Sequence, residues 1–86
     1  MPEISRFFGI VIRMFYDDHL PNHFHVEYNE YQAKISIEDL HLIDGKLPSR
    51  VLGLVIEWAS LHQNELRQEW EHAVKKEKLN KITPLE

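Results

Sequence analysis

Three histidines fall within His19-Leu20-Pro21-Asn22-His23-Phe24-His25, and His23 and His25 stand at the spacing that puts both rings on one side of a β-strand. Histidine binds metals, moves protons and titrates near neutral pH, so this density calls for a chemical reading. The first reading is a metal site. His23 and His25 can aim at one ion, with His19 as the third candidate ligand and Glu27, Asp17 or Asp18 as carboxylate alternatives. Nitrogen and carboxylate donors suit zinc or another transition metal. The second reading is acid–base cleavage of RNA, with His23 and His25 as base and acid and Lys34 as a phosphate clamp. A solvated or hydrogen-bonded strand face is the more economical account of the same spacing. Lys34 opposite His25 also sets a positive charge against any cation.

A third reading is a binding module. The aromatic N-terminal stretch, Trp58, Trp70 and the tail Ile82-Thr83-Pro84-Leu85 can together form a partner surface, because aromatic residues are favoured at interface hot spots. Individually these side chains suit a core equally well. His41 is expected on a sheet face without chemistry, His62 and His72 are not placed to share a ligand, and Glu57 reads as a helix-surface carboxylate.

The elements that position these residues follow from periodicity. Phe7 to Tyr16 is apolar and β-branched, broken only by Gly9 and Arg13, and reads as one central strand. A polar loop from Asp17 to Asn22 follows. His23 to Tyr28 and Tyr31 to Ile37 then alternate cleanly around Asn29-Glu30, a hairpin turn in which Asn tolerates positive φ. A two-residue loop pairs Tyr28 with Tyr31, Val26 with Ala33 and Phe24 with Ile35, all apolar and all on one face. The opposite face then pairs Glu27 with Gln32, His25 with Lys34 and His23 with Ser36. A one-residue slip mixes both faces, so the pattern itself specifies the register. Phe24 is expected in the core and the flanking histidines outside it.

A short strand over Leu40 to Ile43 and an Asp44-Gly45 turn come next. Pro48 marks a helix start, and from Val51 apolar residues recur at helical spacing through Val55, Trp58, Leu66, Trp70 and Val74. His62-Gln63-Asn64 interrupts that stripe, so one bent helix and two consecutive helices capped at Asn64 are both admissible. Helix is expected to end near Lys78. The fold class is therefore α+β: a small antiparallel sheet of three to four strands, followed by one bent or two consecutive C-terminal helices packed on one face.

Composition narrows the function classes. The chain has 86 residues and reads as a single domain spanning 1–86. Cysteine is absent, which removes disulfides and thiolate chemistry and fits a cytoplasmic location. No apolar run approaches the roughly 18 residues of a membrane span. Net charge is −4 with histidines neutral, against the strongly basic surface expected of a duplex binder. Lys75, Lys76, Lys78 and Lys81 crowd the tail, where a helix dipole already favours cations.

The chain resembles the prokaryotic family catalogued as domain of unknown function 4160. The matching features are Ser5-Arg6-Phe7-Phe8-Gly9-Ile10, Met14-Phe15-Tyr16, His19-x-Pro21-x-His23-Phe24-His25, Leu47-Pro48, Glu57-Trp58, Leu61-His62, Trp70 and Lys81-Ile82-x-Pro84-Leu85. Family members often read His-Asn-Pro-Pro before the final His-Phe-His, and Leu20 and Asn22 depart from that pattern. Asn29 stands where a hairpin glycine is common. The resemblance implies a gene that neighbours a second small gene, similar to a toxin–antitoxin pair. It therefore implies a small protein partner, with a His-rich surface site; RNA is the alternative partner.

Overall fold

The computed structural model describes residues 2–16 and 18–86. Five strands form one antiparallel sheet in chain order: β1 (Glu3–Phe7), β2 (Ile10–Arg13), β3 (His23–Tyr28), β4 (Tyr31–Ser36) and β5 (Leu42–Gly45). Two helices follow, α1 (Ser49–Leu61) and α2 (Gln63–Val74). The α+β class holds, with more strands than the sequence pattern suggested.

The extra strand arises because Phe7 to Tyr16 is not one element. Phe8 and Gly9 both take positive φ, 51° and 78°, and turn the chain tightly so that Phe7 pairs with Ile10. Two consecutive left-handed residues make a hairpin turn whose twist matches the strands it joins. Phe8 stands exposed at its tip. An apolar residue at a turn makes the run look continuous; Gly9 was the only local sign of the break.

The β3–β4 hairpin has the register the alternation requires: Tyr28 opposite Tyr31, Val26 opposite Ala33, and Phe24 opposite Ile35. Asn29 supplies the positive φ of the turn at 51°. The apolar face of these strands joins Ile10, Ile12 and Met14 of the first hairpin and its following residue in one buried cluster with Val55, Trp58, Leu66 and Trp70 of the helices. The last strand begins two residues later than expected, and Asp44-Gly45 belongs to it rather than to a turn. Gly45, at φ 85°, packs so close to β4 that a Cβ there would lie 2.2 Å from the Gln32 carbonyl oxygen.

The helical stretch is two helices, broken at His62, which takes φ −122° and caps neither end through its side chain. Asn64 lies inside α2 and is not its cap. Each helix buries one stripe: Val51, Val55, Trp58 and Ala59 in α1, and Leu66, Glu69, Trp70 and Ala73 in α2. That period is what an amphipathic helix on a sheet face demands. The second helix stops at Val74, before Lys78, because the chain enters a left-handed turn at Lys76 with φ 58°. The Lys76 N–H bonds the Ala73 carbonyl and the Glu77 N–H bonds the His72 carbonyl at 2.8 Å, the paired bonds of a Schellman ending. Lysine occupies the position glycine usually takes, so the stop is poorly visible in sequence.

The tail beyond α2 folds back across the molecule. The Ile82 N–H donates to the Ile4 carbonyl at 2.7 Å, Ile82 is buried, and the Trp58 indole donates to the Thr83 carbonyl at 2.8 Å. Buried Glu69 helps hold it, accepting from the Asn80 backbone N–H at 2.8 Å. Trp58, Trp70 and Ile82 are thus spent on the protein's own core, and the surface expected from them for a partner is not exposed. No helix among the described residues is long and apolar enough to cross a membrane.

Candidate functional site

Side chains alternate along β3, so with Phe24 and Val26 in the core, His23, His25 and Glu27 point to the other face of the sheet. Register carries this face across four strands: Arg13, His25, Lys34 and Asp44 form one lateral row. The loop between β2 and β3 returns over one end of the row. It contributes Phe15, whose ring meets the His25 ring edge-on with centroids 4.3 Å apart, and Asp18. The Leu20–Pro21 peptide is cis.

Asp18, His23 and His25 converge. Asp18 Oδ2 lies 2.7 Å from His25 Nε2 and 3.0 Å from His23 Nε2. The first contact is a hydrogen bond, the imidazole donating to the carboxylate. The second is close without being one: His23 Nε2 is within ion-pair distance of Asp18, yet it is fully buried with no hydrogen-bond partner. Direction decides between these two descriptions, because a hydrogen bond off the donor axis weakens steeply whatever its length. The other nitrogen of His23 is committed, since Nδ1 lies 2.7 Å from the Pro21 carbonyl oxygen. A carbonyl only accepts, so the proton sits on Nδ1. In the neutral ring Nε2 then carries a buried lone pair that no donor meets, beside the Asp18 oxygen but off the line to it.

The charge state of Asp18 follows from its surroundings. Partial burial pushes its carboxyl up. The hydrogen bond from His25, the charges of His23 and His25, and the His19 backbone N–H outweigh that push, so the group titrates below the usual carboxylate range.

His23 differs from expectation in one respect: it is buried, with 5% of its surface exposed. Its ring lies 5.5 Å from Trp70 of α2 and 5.1 Å from His25, centroid to centroid. The two imidazoles are together on the side facing away from Phe24, but only His25 is partly open to solvent. His19 is exposed and does not join the group; its backbone N–H donates to Asp18 Oδ1 at 3.3 Å. Among the described residues, Asp18, His23 and His25 are the set whose ligand atoms all lie within 4.8 Å of one another. Glu27 is engaged by Arg13, whose Nε donates at 3.1 Å, and Asp17 lies outside the described residues.

Residues 9–71 match the family described as Domain of unknown function (DUF4160). The chain belongs to that family. The match takes in the histidine loop and all three clustered residues, while the whole of β1 and the C-terminal tail fall outside it. No curated protein and no solved structure is significantly similar to this DUF4160 chain.

The remaining histidines of this DUF4160 protein have local partners. His62 Nδ1 lies 2.6 Å from Glu65, His72 Nδ1 lies 3.2 Å from Glu69, and His41 is exposed near Asp39 at 3.8 Å. Lys34 stands beside His25 in register and makes no ion pair among the described residues. Sequence reasoning named Asp18 only as one of four possible third ligands. Its position depends on how the loop folds over β3, which periodicity does not encode.

Proposed function

We propose that this protein binds a divalent first-row transition cation, zinc by donor preference, through Asp18, His23 Nε2 and His25 Nε2. The observation that carries the reading is the buried, unbonded Nε2 of His23 beside the Asp18 carboxylate. A buried polar atom left without a partner costs about 1–3 kcal/mol. A cation bound by Nε2 and the carboxylate satisfies both, together with His25. The bond from His23 Nδ1 to the Pro21 carbonyl supports the same reading, because metal-binding imidazoles characteristically donate their other N–H to a carbonyl or carboxylate. Ligand atoms about 2.0–2.1 Å from a zinc ion need only slightly wider separations than the two short contacts made here.

Two imidazoles and one carboxylate leave a coordination position open, which is the pattern of a catalytic or ligand-binding zinc rather than a closed structural one. Acid–base cleavage of RNA by His23, His25 and Lys34 is less well supported. A group that hands protons to a polymer must reach it, and His23 is covered. The small protein partner implied by a two-gene arrangement, with a cytoplasmic setting, completes the proposal. Co-purification of the neighbouring gene's product tests that part separately.

Titration calorimetry with zinc on tag-free protein tests the cation. The expected result is a single equivalent bound by the wild type and lost in His23→Ala. Binding that survives His23→Ala unchanged would remove the proposal.

A further inference from the structure

Beside His25, on the open face of the sheet, a cavity of about 190 Å³ is lined by His25, Gln32, Ala33, Lys34, Asp44 and Gly45. Drug-sized ligands occupy roughly 300–1,000 Å³, so this space suits one small polar group. Its chemistry is uneven. Lys34 offers an ammonium with no ion pair among the described residues, whereas Arg13, on the other side of His25 in the row, is already held by Glu27. Asp44 stands across from Lys34, one of its oxygens accepting from the Gly45 N–H at 2.9 Å. Gly45 keeps the cavity close to the backbone of β4, where a side chain would collide with Gln32.

The geometry points to a phosphate-binding pocket: inorganic phosphate held between Lys34 and Asp44, with an oxygen directed at the cation on His25. This rests on the metal reading and gives the open coordination position a ligand class. Lys34 supplies the charge that an oxyanion needs. Asp44 supplies selectivity. A carboxylate repels a fully ionised anion but accepts a hydrogen bond from one that keeps a proton. At neutral pH inorganic phosphate keeps at least one proton; sulfate and phosphodiesters keep none, and a phosphate monoester is mostly without one. A net charge of −4 likewise disfavours a polyanionic nucleic acid.

Cobalt(II)-loaded protein gives the test, because its visible bands report on the ligands around the ion. The expected result is a saturable change in those bands with inorganic phosphate, and a response to sulfate weaker by about three- to tenfold. Glycerol phosphate, mostly without a proton at neutral pH, is expected to give a weaker response than inorganic phosphate. Lys34→Met should keep the cobalt bands and weaken the phosphate response about three- to tenfold, and Asp44→Asn should narrow the gap between phosphate and sulfate. Cobalt bands indifferent to phosphate, or equally responsive to sulfate, would overturn the pocket and leave the metal site standing. Protein that shows no ligand-bound cobalt bands would overturn both. The wild-type comparison of phosphate with sulfate needs no variant to fold.

Discussion

His23 Nε2, which is buried, lies 3.0 Å from Asp18 Oδ2 with no hydrogen bond between them, while the far side of the same ring is tied to the Pro21 carbonyl. The ring cannot turn over to relieve this without giving up the Pro21 bond, and it is packed against Trp70 on α2. Loop, strand and helix together hold an unbonded imidazole nitrogen and a carboxylate close enough for one cation to engage both. His25 completes the group from the next outward position on β3.

Asp18→Asn keeps the size of the side chain and removes the charge. Zinc affinity is expected to fall by at least about 100-fold, since even outer partners of metal ligands are worth roughly 10–100-fold. Competition against a coloured chelator measures it. Retained affinity would mean that the carboxylate is not a ligand.

The same substitution has a pH signature in the metal-free protein. The Asp18 carboxyl is lowered in the folded state, so its stabilising contribution is present above the unfolded carboxyl pKa of about 3.9 and is lost as pH falls through the lower folded value. Urea unfolding from about pH 5 downward should show the wild type losing more stability than Asp18→Asn, with the two curves converging in acid. Parallel curves would contradict the assigned environment.

Lys76 ends α2 in the left-handed region at φ 58°. A side chain there costs roughly 1–2 kcal/mol that glycine avoids. Lys76→Gly is therefore expected to raise stability by about 1 kcal/mol, read as a Tm increase of about 4–8 °C for a domain of this size. A lower Tm would mean that the lysine's own contacts outweigh its backbone cost.

Ile82 anchors the tail, buried and bonded through its N–H to Ile4. Ile82→Ala should cost about 2–5 kcal/mol in urea unfolding, as expected for truncating a buried isoleucine. A negligible change would mean that the tail does not stay docked.

Much of this architecture is legible in the chain, and the illegible parts share a cause. The pairs Phe24 with Ile35 and His25 with Lys34 follow from alternation around a two-residue loop, because a slip would expose one apolar set and bury one polar set. The helix stripe is equally local, although His62-Gln63-Asn64 leaves one bent helix and two consecutive helices both admissible and points to Asn64 as the cap. What escapes is set by tertiary contact. His23 reads as outward because β3 alternates, yet it is buried, its ring packed against Trp70 of the core cluster. Asp18 is selected over His19 by the path of that loop. Phe8 conceals a turn and Lys76 conceals a helix end, each by occupying a left-handed position where glycine or asparagine would be the readable sign.

Nitrogen-detected NMR of all six imidazoles, recorded before and after a single equivalent of zinc, tests the central claim most directly. The account predicts that the Nε2 signals of His23 and His25 shift together, that His23 keeps its proton on Nδ1, and that His19, His41, His62 and His72 stay where they were. Zinc that leaves His23 untouched, or that moves His19 in its place, would contradict it.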